Sequence, residues 1–141
     1  KETNLLERTP VQSAMQTDVD YVREDDTVND LRSVFRESHH THYPVLKKES
    51  DRVVGLINYT SHWDVVDDPD VSPLIICRDL ARTPAVTVTL RDNLLTALEK
   101  ISDFHVEVLS VVNDNGELVG ILSRNDIINA YNRRLRMKRE E

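Results

Sequence analysis

Cysteine is nearly absent. Cys77 stands alone in 141 residues, which excludes an intramolecular disulfide, a CxxC redox pair and a zinc site built on paired thiolates. Long apolar runs are missing too: no window approaches the roughly 18 uninterrupted apolar residues of a membrane span, and no apolar signal-peptide core opens the chain. Nor is there an excess of base. With 18 Lys+Arg against 25 Asp+Glu the formal net charge is −7, so the chain is no general nucleic-acid binder, which needs a basic face to displace counterions. No Ser/His/Asp or Cys/His arrangement surrounds a nucleophile with a motif, which argues against an enzyme. The chain opens on Lys1 rather than Met, and it is read as a piece of a longer protein. A hydrophobic content of 39% suffices for one core or for two small ones.

What the chain does have is a duplication. Val53-Val54-Gly55-Leu56-Ile57 and Leu118-Val119-Gly120-Ile121-Leu122 place their glycines 65 residues apart. Upstream, at an offset of 66, Tyr43-Pro44-Val45-Leu46 aligns with Leu109-Ser110-Val111-Val112, Phe35 with Ile101, Val28 with Leu94, Val22 with Val88 and Thr17 with Thr83. The lost residue falls in a turn, where Lys47 to Arg52 shortens to Asn113-Asp114-Asn115-Gly116-Glu117. A repeat sets the architecture before local propensity does.

Each copy reads as strand–helix–strand–strand–helix, an α/β (α+β) pattern. Val19 to Val22 and Val86 to Leu90 are predicted strands. Thr27 begins a helix with Asp30 as its capping partner, and Val28, Leu31, Val34 and Phe35 recur at helical spacing. In the second copy Asp92 starts the helix that carries Leu94, Leu95, Leu98 and Ile101. Strands follow over 43–46 and 52–57, then over 108–112 and 117–122, with Asn115-Gly116 as a hairpin turn. Closing helices are predicted around 60–66 and 125–136. Thr9-Pro10 reads as an N-cap with proline at the first helical position, and Ile76 to Leu80 is its counterpart. The resulting plan is a leader over 1–9, a first repeat over 10–66, an acidic linker over 67–75, a second repeat over 76–132 and a basic tail over 133–141.

Ser123 and Asp126 stand three apart where the last strand meets the last helix. Helix N-terminal N–H groups and a hydroxyl suit phosphate or sugar oxygens, and a carboxylate suits the two donor hydroxyls of a ribose. The same pair also reads as a plain helix cap. Mechanics alone leaves both readings open.

Val-Gly-Ile-Leu-Ser-Arg-Asn-Asp at 119–126, Tyr-Pro-Val at 43–45, Thr-Pro-Ala-Val-Thr-Val at 83–88 and the period itself resemble the cystathionine-β-synthase (CBS) domain pair, or Bateman module, over residues 10–132. The resemblance implies a pseudo-two-fold pair, homodimers, and clefts between repeats that bind adenosine nucleotides (ATP, ADP or AMP) without chemistry on the ligand. It assigns one competent site to Ser123, Asn125 and Asp126 together with Val19, Thr41, His42, Tyr43 and Pro44, the purine lying between apolar and ring groups. The other site combines Asn58 and Ser61 with Ala85, Val86, Val108 and Leu109. It lacks the hydroxyl and the aspartate of the motif, carries Ser110 in place of the proline, and is expected to be degenerate.

The leader Glu2-Thr3-Asn4-Leu5-Leu6-Glu7-Arg8 and the close Ala130-Tyr131-Asn132-Arg133 resemble the C-terminal cytoplasmic module of bacterial ClC-type chloride channels and transporters. That implies a parent membrane transport domain and a place on the cytoplasmic face of the membrane. The alternatives are a stand-alone or enzyme-attached energy sensor, and a ligand-free dimerisation scaffold.

Other features read more plainly. His39, His40 and His42 lack a Cys or Glu partner at metal spacing, which favours a loop with a ligand-facing histidine over a zinc site. Asp67-Asp68-Pro69-Asp70 lacks the glycine and distal glutamate of a calcium loop and reads as a solvated linker. Trp63 reads as a core or interface anchor. Charge is uneven: residues 133–141 carry five cations and two acids, leaving the rest at −10. That basic end complements a helix dipole, the alternative being contact with an anionic surface.

Overall fold

The computed structural model describes residues 2–140; Lys1 and Glu141, at the outer ends of the leader and tail, lie outside the described residues. The elements run α1 Glu2–Arg8, β1 Val22–Arg23, α2 Val28–Ser38, β2 His42–Leu46, β3 Val53–Asn58, α3 Trp63–Val66, α4 Cys77–Leu80, β4 Thr87–Thr89, α5 Leu94–Phe104, β5 Val108–Val112, β6 Leu118–Ser123 and α6 Arg124–Glu140. Among the described residues these make six helices and two three-stranded sheets, ordered β1-β2-β3 and β4-β5-β6. The fold is mixed α+β, as the repeat pattern predicts. No helix among the described residues is long and apolar enough to cross a membrane.

The chain divides into two compact units. Unit 2 comprises Val19–Ala85 with Gly116–Leu118. Its central strand β2 runs parallel to β1 and antiparallel to β3. Val22, Val28, Leu31, Tyr43, Val45, Ile57, Tyr59, Val66 and Cys77 form its buried core. The helix predicted from Thr27 is capped as expected: Thr27 Oγ1 accepts from the Asp30 N–H at 3.1 Å, and Asp30 Oδ2 accepts from the Thr27 N–H at 2.9 Å. The helix ends at His39, whose left-handed backbone (φ 59°) donates its N–H to Phe35 O. His105 ends α5 in the same conformation.

Unit 1 takes the residues up to Asp18, Val86–Asn115 and those from Val119 onward. Its core holds Val11, Val88, Leu94, Ala97, Ile101, Leu109, Val111, Leu122, Ile127 and Ala130. Here β4 pairs in parallel with β5.

The compact units are a different partition from the sequence repeats, because each contains the segment that precedes the other copy. In unit 1 the Val11 N–H donates to Asp92 O and the Leu94 N–H to Thr9 O, at 2.7 and 2.9 Å. In unit 2 the Cys77 N–H donates to Asp26 O and the Val28 N–H to Ile75 O, at 2.7 and 2.8 Å. Each residue of the first set is 66 positions from its counterpart in the second. Two copies of one backbone motif therefore form with their leading segments exchanged.

Four local expectations are corrected. Asn93, not Asp92, caps α5, accepting from the Thr96 N–H at 2.9 Å, while Asp92 Oδ2 holds the Thr89 N–H in the preceding turn. Thr9 does not start a helix at Pro10; its hydroxyl donates back to Leu5 O, and only a 3-10 turn, Val11–Ser13, follows. The helix expected at 60–66 is a 3-10 turn, Tyr59–His62, before the single turn of α3. The last helix continues past 136 to Glu140, so the basic tail is helical.

Cys77 is fully buried in unit 2, and burial, reinforced by nearby acids, pushes its thiol up to about 12. Its Sγ–H donates to Thr27 O at 3.5 Å. Native protein should therefore react with a thiol reagent at pH 8 far more slowly than protein unfolded in denaturant. Because the folded pKa is raised, the associated stability is complete below the unfolded pKa of about 8.5 and is lost as pH climbs toward the folded value. Denaturant melts between pH 8 and pH 11 should show that decline, and Cys77→Ala should lessen it.

Candidate functional site

The strand-to-helix step in unit 1 is built by two side chains. Ser123 Oγ accepts the Asp126 N–H at 3.1 Å, and Asp126 Oδ2 accepts the Ser123 N–H at 2.8 Å. This reciprocal box leaves the Ser123 hydroxyl proton available as a donor. The Arg124 N–H is held by Glu107 O at 3.2 Å, so much of the first turn is already satisfied within the protein. Asn125 is exposed beside the box.

A third partner comes from far away in sequence. Gln16 Nε2 donates to Asp126 Oδ1 at 2.9 Å. The Gln16 main chain forms an antiparallel bridge with Ile121, donating and accepting at 2.9 Å. Gly120 makes that approach possible: a Cβ there would lie 2.8 Å from Met15 Sδ and 2.9 Å from Gln16 O. The close approach at Gly120 is thus made by the chain's own segment. Gly55 does the same in unit 2, where a Cβ would lie 2.8 Å from Arg82 O. Sequence reasoning missed Gln16; the available signal was that Gly120 needs a neighbour.

The first copy of the motif is built differently. Asn58 Oδ1 accepts from both the N–H and the hydroxyl of Thr60, at 3.2 and 2.9 Å. Ser61 is exposed and supplies no carboxylate to close a box, which explains why a 3-10 turn replaces the first turn of a helix there.

The remaining predicted site residues divide between the units. Val19, Thr41, His42, Tyr43, Pro44 and Ala85 belong to unit 2, and Val86, Val108 and Leu109 to unit 1. Thr41 Oγ1 and His42 Nδ1 share a hydrogen bond of 3.0 Å at the start of β2. The Tyr43 ring is fully buried, edge-on to Tyr59, with its hydroxyl 2.7 Å from Ser38 Oγ. Burial raises the Tyr43 pKa, partly offset by Ser38. Its ring therefore packs the core of unit 2. Pro44 lies just outside the β1 ladder, which begins with Val22 opposite Val45, so it forfeits no bond to that strand. In unit 1 the β4 ladder reaches one residue further. The Ser110 N–H donates to Val86 O at 3.3 Å, a bond that proline could not make. Val108 and Leu109 are buried on the same strand.

The histidines have local partners: His39 caps α2, and His40 Nδ1 lies 3.5 Å from Asp20 Oδ2. Among the described residues no group of three His, Cys, Asp or Glu side chains is placed to hold a metal ion. Trp63 is half-exposed and packs edge-on to Tyr59, which stacks on Phe35 at 3.9 Å.

The CBS domain profile matches residues 11–61 and 77–133. The chain belongs to the CBS domain family. An uncharacterized protein of Methanocaldococcus jannaschii is 26% identical over 102 residues, 72% of this chain and 32% of that protein. A homoserine O-acetyltransferase of Methanococcus vannielii is 23% identical over 123 residues, 84% of this chain and 24% of the enzyme. The chain thus spans a third or less of these curated relatives. Among solved structures, the CBS domain of a bacterial CNNM/CorC family Mg²⁺ transporter in complex with ATP superposes with a TM-score of 0.80, at 21% identity over 92% of both chains. At that identity the likeness shows the CBS fold.

Proposed function

We propose that this CBS pair is a regulatory module that binds an adenosine nucleotide and controls an attached membrane ion-transport protein from its cytoplasmic face. The observation that carries the reading is the Ser123–Asp126 box, with its hydroxyl donor and a carboxylate that accepts one hydrogen bond on each oxygen among the described residues. An anionic acceptor of this kind matches a ribose diol. The resemblance assigns the purine contacts to Val19, Thr41, His42 and Pro44 and also to Tyr43, whose ring lies instead in the core of unit 2. The Asn58–Ser61 turn in unit 2 lacks the carboxylate of the motif, which supports a degenerate second site. The transporter CBS domain described with ATP supports the ligand class.

For the parent, the transporter neighbour supports an ion-transport protein, while the ClC-type assignment rests on the leader 2–8 and the close 130–133 alone. A nucleotide regulates such a parent only through different affinities for two arrangements of the module. Calorimetric titration with ATP, ADP and AMP tests the reading and identifies the preferred nucleotide. Absence of binding by all three contradicts it.

We further infer that the module pairs with a second copy. A largely apolar groove of about 660 Å³ in unit 1 is lined by Leu6, Leu95, Leu98, Ile128 and Leu135 together with Arg124, and Ile128 is 47% exposed. Ile128→Glu should turn a sedimenting dimer into a monomer with its melting temperature little changed. A wild-type chain that sediments as a monomer removes this part of the reading.

A further inference from the structure

The Gln16 contact with Asp126 has no counterpart in the motif by which the nucleotide site was recognised. A carboxylate offers about four acceptor directions. Ser123 N–H fills one on Oδ2 and Gln16 Nε2 fills one on Oδ1. One direction then remains on each oxygen, which matches the two hydroxyl donors of a vicinal diol. The cap by itself holds the carboxylate plane by a single hydrogen bond at Oδ2, which restrains its turn about the Cβ–Cγ bond only loosely. Gln16 fixes it. Its own main chain is clamped by both hydrogen bonds to Ile121, and the glycine at 120 gives it no slack.

We propose that Gln16 is a positioning residue that orients the Asp126 carboxylate for a vicinal diol and so sets a preference for ribonucleotides over 2′-deoxyribonucleotides. The inference rests on the nucleotide reading above. Orientation in advance of binding removes an ordering cost that a carboxylate held by one bond meets when it engages two hydroxyls. A ligand with one hydroxyl gains little from that orientation, so the effect of Gln16 belongs to the diol.

The test compares the affinity of the 141-residue chain for ATP and 2′-deoxy-ATP by calorimetry in wild type, Gln16→Ala, Gln16→Glu and Asp126→Ala. Gln16→Glu keeps the size and backbone of the wild type but removes the donor. Wild type should prefer ATP by about tenfold or more, since the deoxy ligand forfeits a charge-assisted hydrogen bond. Both Gln16 variants should lose most of that preference through weaker ATP binding, and Asp126→Ala should lose all of it. Equal weakening of both ligands by the Gln16 variants would reduce Gln16 to a structural contact and overturn the proposal. Tighter ATP binding by Gln16→Ala would make the amide a competitor for Asp126, and also overturns it. If Asp126→Ala loses the preference while the Gln16 variants keep it, the role of Gln16 falls and the nucleotide site stands. If wild type binds neither ligand, the nucleotide reading falls and this inference with it.

Discussion

Asp126→Ala should weaken ATP binding by about a hundredfold or more and leave the chain folded. The estimate follows from two ribose hydroxyls losing a charged acceptor, each such bond contributing about 1.5–3 kcal/mol in a formed site. Asp126 also closes the helix cap, so the substitution carries a stability cost of roughly 1 kcal/mol. The two effects separate cleanly. The cap loss shows as a small drop in melting temperature, the ribose loss as a large change in affinity. Asp126→Asn divides them further, because the amide oxygen can still accept the Ser123 N–H at the position now 2.8 Å from Oδ2. That variant should keep most of the stability and lose much of the affinity. Affinity unchanged in Asp126→Ala would return Ser123 and Asp126 to a cap and nothing more.

Gly120→Ala should be the most damaging single-methyl change near the site. The added carbon would meet Gln16 O at 2.9 Å and Met15 Sδ at 2.8 Å. The methionine can swing away, but the carbonyl is tied into the bridge with Ile121. Relief therefore requires the backbone at 15–16 to move off β6. Overpacking of this sort costs about 1–3 kcal/mol, or a melting temperature lower by roughly 3–12 °C for a chain of this size. Because the displaced segment carries Gln16, nucleotide affinity should fall with it. A melting temperature within a degree of wild type would show that the segment has room the geometry does not give it.

The duplication made much of this fold legible. The repeat, offset by 66 residues and by 65 after the shortened turn, identified both helical cores and all four long strands, and Thr27 with Asp30 announced its capping box without help from tertiary contacts. The exchange of leading segments was not legible. Thr9 to Val11 and Ile75 to Cys77 make the same main-chain bonds to Asp92–Leu94 and Asp26–Val28, and main-chain bonds carry no side-chain identity by which a sequence could say which copy pairs with which. At the site, Ser123 and Asp126 were recognisable from their spacing and the strand before them. Gln16 was not, since it is exposed, belongs to no periodic pattern and meets its partner across 110 positions. The shortened helix at Ser61 was foreseeable in part: the missing carboxylate was noted for the ligand, while its consequence for the first helical turn was not drawn.

The most direct test is the number of nucleotides bound per chain at saturation, measured by equilibrium dialysis of labelled ATP against the 141-residue protein. One intact box and one turn without a carboxylate predict one ATP per chain, reached only at about a hundredfold or more higher ATP in Asp126→Ala and unaffected in Ser61→Ala. Two per chain would contradict the degenerate second site, and none at any concentration would contradict the nucleotide-sensing function itself.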